Sequence, residues 1–157
     1  MIRSTLLTFF AALFLWGSQA VAGGPTPPEG MIVRPSHHDV STTLDRLEAA
    51  LKARGIPVAL RWDHAAKARA VGISLRPTQL LLFGNPALGS HFFTAAQTAG
   101  IDLPMKALAW EDEGGRVWIG YNDPAWIARR HGITHREAVV AKMRAALASL
   151  VEQAAGP

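Results

Sequence analysis

The chain has 157 residues, 49% of them hydrophobic and 18% charged, with no cysteine. That length makes about one domain, with a core large enough to need no metal or disulfide staple, and the missing cysteines exclude disulfides, thiol catalysis and lipid attachment through a thiol. The formal charge is +4, but beyond Arg3 the basic residues are scattered from Arg34 to Arg144 with only Arg129-Arg130 adjacent, so they read as solvated surface and not as a nucleic-acid-binding stripe.

In chain order, Arg3, the apolar run Leu6–Trp16 and Ala20-Val21-Ala22 follow the secretory pattern, which predicts a signal peptide over residues 1–22, cut after Ala22. The run is shorter than the roughly 20 residues of a membrane-spanning helix. An exported protein is therefore expected, periplasmic or extracellular, with no stable membrane anchor after cleavage. Residues 23–30, GGPTPPEG, are turn formers without apolar period and predict a flexible leader.

The folded part is expected over residues 31–157. Met31–Val33 predicts a short strand closed by Pro35 and Ser36, and Val40, Leu44, Leu47 and Leu51 predict a helix capped by Asp39 or Ser41 and ended by Gly55 and Pro57. Val58–Trp62 predicts a strand, His64–Val71 a short helix stopped by Gly72, and Gln79–Phe83 a strand running into Gly84-Asn85-Pro86, a breaker triplet suited to a tight turn. A helix is expected over Ser90–Ala99. Lys106–Trp110 and Val117–Tyr121, joined through Gly114-Gly115, predict a hairpin with two apolar faces. Asp123-Pro124 resembles a helix start, and that helix should stop at His131-Gly132. A last helix over residues 134–153 is expected from the Thr134/Glu137 capping-box spacing and the stripe Val140, Met143, Leu147, Leu150. With no internal repeat and few regular crossovers, the pattern argues for one α+β domain with a mostly antiparallel sheet and helices packed on one face.

Six short motifs follow one another along this stretch: Ser36-His37-His38-Asp39-Val40, Asp63-His64-Ala65-Ala66, Phe83-Gly84-Asn85-Pro86, Leu103-Pro104, Trp110-Glu111-Asp112 and Tyr121-Asn122-Asp123-Pro124. Over residues 31–132 their order resembles the bacterial family catalogued as domain of unknown function 302. The resemblance implies a compact fold with helices on one face of an antiparallel sheet, and it brings no agreed activity or substrate.

Chemistry is sought first at Asp63-His64, since a carboxylate and an imidazole at a strand end can orient a base or supply metal ligands. Asp63, His64 and Glu111 are the catalytic candidates, although Asp63 as a helix cap with His64 in the first turn explains the pair equally simply. His38, His64 and Glu111 are candidate ligands for a transition metal, which only the tertiary fold could assemble. Candidate ligand-binding residues are His38, Asp63, His64, Asn85, Glu111 and Tyr121. Trp62, Trp110, Trp118 and Trp126 with Tyr121 form either an apolar pocket or core. Gly89-Ser90-His91 is no nucleophile elbow, and Gly84–Gly89 lacks the phosphate-loop lysine.

The leading expectation is an exported, non-catalytic module that binds a small molecule or metal. The first alternative is a small hydrolase or isomerase using Asp63, His64 and Glu111. The second is a homodimeric structural protein that buries the second sheet face between subunits.

Overall fold

The computed structural model describes residues 24–157; the expected signal peptide lies outside them. The elements run β1 (Met31–Ser36), α1 (Val40–Ala53), β2 (Val58–Asp63), α2 (His64–Ala70), β3 (Thr78–Phe83), α3 (Pro86–Ala95), a 3-10 turn (Gln97–Ile101), β4 (Met105–Glu111), β5 (Val117–Asn122), α4 (Pro124–Arg130) and α5 (Glu137–Ala155). The five strands form one sheet in the order β1-β5-β4-β3-β2, with every neighbouring pair antiparallel. This is the single α+β domain that the sequence pattern predicts.

Each helix begins and ends for local reasons. The Asp39 carboxylate accepts the Thr42 N–H at 2.7 Å and opens α1; Gly55, at φ +64°, sits just beyond its end in the left-handed region that glycine adopts without penalty. Between these points Val40, Leu44, Leu47 and Leu51 are buried, each leucine stabilising the fold by about 1.5–3 kcal/mol. Helix α5 lies along α1 and adds Met143, Leu147, Leu150 and Val151 to the core.

The sheet offers these helices the rows Leu81–Ala107–Tyr121–Ile32 and Gln79–Ala109–Ile119, because alternate strand residues share a face. Small Ala107 and Ala109 are fully buried, so the central strand can approach the helix layer closely. At the β2 edge Arg61 fastens α1 to the sheet: its guanidinium donates to Gln79 Oε1 at 2.9 and 2.8 Å, to Ser41 O at 3.1 Å, and to the carboxylates of Asp45 and Glu48.

The opposite face carries the rows Trp62–Leu80–Leu108–Gly120–Val33 and Trp110–Trp118–Pro35. Among the described residues no helix covers these rows with a stripe like that of α1. Residues 24–30 form no helix or strand, and they touch the domain at two tryptophans: Gly24 lies against the Trp118 ring and Gly30 against Trp126. Val58, Leu60 and Trp62 of β2 stay exposed, as do Val71, Ile73 and Leu75 in the link to β3.

Four boundaries differ from those the sequence predicts, and one is the end of α3, at Ala95 instead of Ala99, where a 3-10 turn over Gln97–Ile101 takes over. Pro35 lies inside β1 instead of ending it, which an edge strand tolerates because the missing N–H can face away from the partner. Helix α3 begins at Pro86, not Ser90, because Asn85 caps it through the Ala87 N–H at 2.9 Å and proline sits at its first position. Helix α5 starts at Glu137, three residues after Thr134; Arg136 occupies the cap position with no side-chain cap bond, so the expected capping box does not form.

Candidate functional site

The two turns that interrupt the sheet face each other across a cavity. From the β3–α3 junction come Phe83, Gly84, Asn85 and Pro86, and from the segment before β4 come Leu103, Pro104 and Met105. The Leu103–Pro104 peptide bond is cis, and Pro104 lies against Gly84, where a β-carbon would stand 3.1 Å from its side chain. Helix α3 adds Leu88, Gly89, Ser90 and Phe93; α5 adds Met143, Ala146, Leu147 and Leu150; Ile56, Pro57 and Ala59 complete the wall. The pocket is open to solvent on one side and has a volume of about 330 Å³, within the range of small-molecule sites. No charged residue lines it, and Asn85 and Ser90 are its polar side chains. The Asn85 carbonyl oxygen is used in capping α3, which leaves its amide hydrogens for another acceptor.

A hydrogen-bonded chain braces the wall from behind. The Thr98 hydroxyl bonds His131 Nδ1 at 3.0 Å, and His131 Nε2 bonds Asp102 Oδ2 at 2.7 Å. The His131 and Asp102 side chains are 7% and 9% exposed, and Arg130 reaches Asp102 Oδ1 at 3.3 Å. Lys106 donates to the backbone oxygens of Asp102 at 2.9 Å and Pro104 at 3.3 Å; burial lowers its pKa from the ordinary 10.5, against the pull of Asp102. The order hydroxyl–imidazole–carboxylate resembles a nucleophilic relay, but Thr98, His131 and Asp102 are not among the residues that line the cavity. Their bonds hold the 3-10 turn and the Leu103-Pro104 segment against the end of α4.

Of the candidate catalytic, ligand-binding and metal residues taken from the sequence, Asn85 alone reaches this cavity. The Asp63 carboxylate accepts the Ala66 N–H at 2.8 Å and the Gln79 amide at 3.3 Å, so it caps α2 with His64 as the first helical residue. Glu111 ends β4, and β3 runs between that strand and β2, putting two strand spacings, roughly 10 Å, between their backbones. The structure thus does not assemble Asp63, His64 and Glu111 into one catalytic group. Nor does it assemble the metal candidates: His38 Nε2 bonds Gly156 O at 2.8 Å, and among the described residues no three His, Cys, Asp or Glu side chains group to hold a metal ion. Tyr121 is core, 4% exposed beneath the helices, and burial raises its hydroxyl pKa above 10.0. Trp62, Trp110 and Trp118 occupy the opposite sheet face, and none lines the cavity.

Sequence reasoning missed Phe93, Met143 and Ala146 as wall residues and the Thr98–His131–Asp102 chain, since their juxtaposition is purely tertiary. One signal was legible: Phe83-Gly84-Asn85-Pro86 and Leu103-Pro104, two separate motifs, face each other. Residues 32–150 match the family described as domain of unknown function DUF302. The chain belongs to the DUF302 family. A crystal structure of an uncharacterized conserved DUF302 protein from Bacillus stearothermophilus has the same fold, with a TM-score of 0.72 at 20% identity, covering 81% of this chain and 99% of that one. Curated relatives of this DUF302 chain include fluoride-specific ion channel FluC 1 of Brucella suis, 45% identical over 104 residues, or 66% of this chain and 41% of that protein. FluC 2 of Brucella melitensis is likewise 45% identical over 104 residues, 38% of its length. The chain thus spans about two-fifths of the curated relatives it matches. Among its described residues no helix is long and apolar enough to cross a membrane.

Proposed function

We propose that this DUF302 chain is an exported, non-catalytic binding module that holds a small, largely apolar molecule in the cavity between α3, α5 and the ends of β3 and β4. The observation that carries this reading is the meeting of Phe83-Gly84-Asn85-Pro86 with Leu103-Pro104 around one uncharged volume of about 330 Å³. Apolar walls supply affinity through burial, and the two polar side chains, Asn85 and Ser90, orient what enters. Native mass spectrometry of the protein purified from an exported preparation, with a thermal melt before and after delipidation, tests it. A bound small molecule whose removal lowers the melting temperature is the expected result. A bare protein whose melting temperature is unmoved by a panel of apolar molecules would count against it.

A second reading rests on the other sheet face. Val58, Leu60 and Trp62 are exposed on the edge strand β2, and an edge offers unpaired backbone groups to another strand. In this reading a second copy of the chain packs on the second sheet face at this edge and buries the exposed side chains of β2 between subunits. Sedimentation at micromolar concentration tests it: a monomer throughout rejects the homodimer.

A further inference from the structure

The cavity wall carries no charge, but two arginines reach the elements that form it. Arg54, just past α1, donates to Ala146 O at 3.3 Å and to Ser149 Oγ at 2.8 Å, and Ala146 is a wall residue. Arg136, at the start of α5, donates to His91 O at 3.3 Å and to His135 O at 2.8 Å; His91 adjoins Ser90, another wall residue. Both guanidinium groups thus meet neutral oxygens, and neither has a carboxylate within ion-pair distance among the described residues. A guanidinium has five N–H donors, so each arginine keeps donors for an anion. Asn85, with its amide hydrogens unspent, adds a neutral donor at the exposed rim.

The volume limits the apolar part. At about 330 Å³ and open on one side, the pocket lies at the small end of ligand sites, so it suits the apolar part of a single-chain ligand. A wall of Phe93, Leu88, Met143, Leu147 and Leu150 offers such a chain no polar partner.

Resting on the cavity reading above, we infer that the ligand is an anionic amphiphile: a medium-length alkyl chain in the cavity with a single carboxylate-like head held by Arg54 or Arg136 at the rim. The chain supplies burial; the head supplies orientation, since a charged group cannot enter an uncharged wall without a large desolvation cost.

Decanoate and decan-1-ol differ in head charge at nearly equal chain length, so calorimetric titration of both at low salt separates the two parts. Decanoate should bind at least tenfold tighter than decan-1-ol, and the Arg54→Gln/Arg136→Gln double variant should erase that difference while leaving decan-1-ol binding unchanged. The Arg54→Lys/Arg136→Lys variant, which keeps both charges, should retain most of the preference. Ala146→Phe, which fills the cavity, should weaken both probes. Equal binding of the two probes by the unaltered protein, or a preference that survives the double glutamine variant, overturns the anionic head and leaves the cavity reading standing. Binding of neither probe overturns both.

Discussion

Asp102 shows how one side chain can serve the site without entering it. Its carboxylate takes a bond from His131 and an ion pair from Arg130 while nearly buried, and the backbone after it forms the cavity wall. Replacing it by Asn leaves His131 and Arg130 short of a charged acceptor, so Asp102→Asn should lose about 1–3 kcal/mol of stability in urea unfolding; an unchanged midpoint would mean the bonds are idle. Asp112, at the hairpin tip, has a different role. Its carboxylate accepts the Trp118 indole N–H at 2.7 Å and the backbone N–H of Arg116 and Gly114, and these bonds, the indole's foremost, hold its pKa below the ordinary 3.8. A lowered folded pKa means stabilisation present in full above pH 3.8 and lost as pH falls through the folded value. The stability gap between the unaltered protein and Asp112→Asn should therefore shrink as pH drops below 3.8, and a gap constant from pH 6 to the acid limit would contradict the assignment. At this scale the sequence was half legible. Asp63 as a cap could be read from a carboxylate directly before an alanine-rich stretch, whereas the partner of Asp102 lies 29 positions away and no spacing rule reaches it.

Among elements, those with one clear apolar stripe were the readable ones. Val40 and the three leucines of α1 fall four, three and four apart, and the leucines are fully buried. Leu47→Ala should cost about 2–5 kcal/mol, since the packed neighbours on α5 and the sheet cannot close the space fully; a loss under 1 kcal/mol in chemical denaturation would mean that the helix layer repacks. Helix α3 is less legible because its apolar residues show poor period, and Asn85-Pro86 suits a tight turn as well as a helix start, although Asp123-Pro124 carries the same cap-and-proline signal. That ambiguity hides the site, because the first turn of α3 is part of the cavity wall. A proline in a strand sequence likewise predicts a break only if the strand is central, and β1 is an edge.

For the whole molecule, the alternation of strands and helices was enough to give an antiparallel α+β domain, but not the strand order, which depends on which hairpins zip and which chain ends meet. The two apolar faces of β5 were visible in Val117, Ile119 and Tyr121 against Trp118, and what covers the second was not. If the exposed β2 edge pairs with a second copy, Trp62→Lys should shift a dimer to monomer in sedimentation without lowering the melting temperature of the monomer by more than a few degrees; an unchanged oligomer would place the contact elsewhere. The strand order has a further effect on the path by which the chain folds. Strands β3, β4 and β5 pair with their sequence neighbours, but β1 pairs only with β5, so Ile32 meets Tyr121 only after the long intervening loop has closed, at an entropic cost that local hairpins do not bear. The first strand made is thus the last to dock, and pulsed hydrogen exchange during refolding should protect the amides of β4 before those of β1.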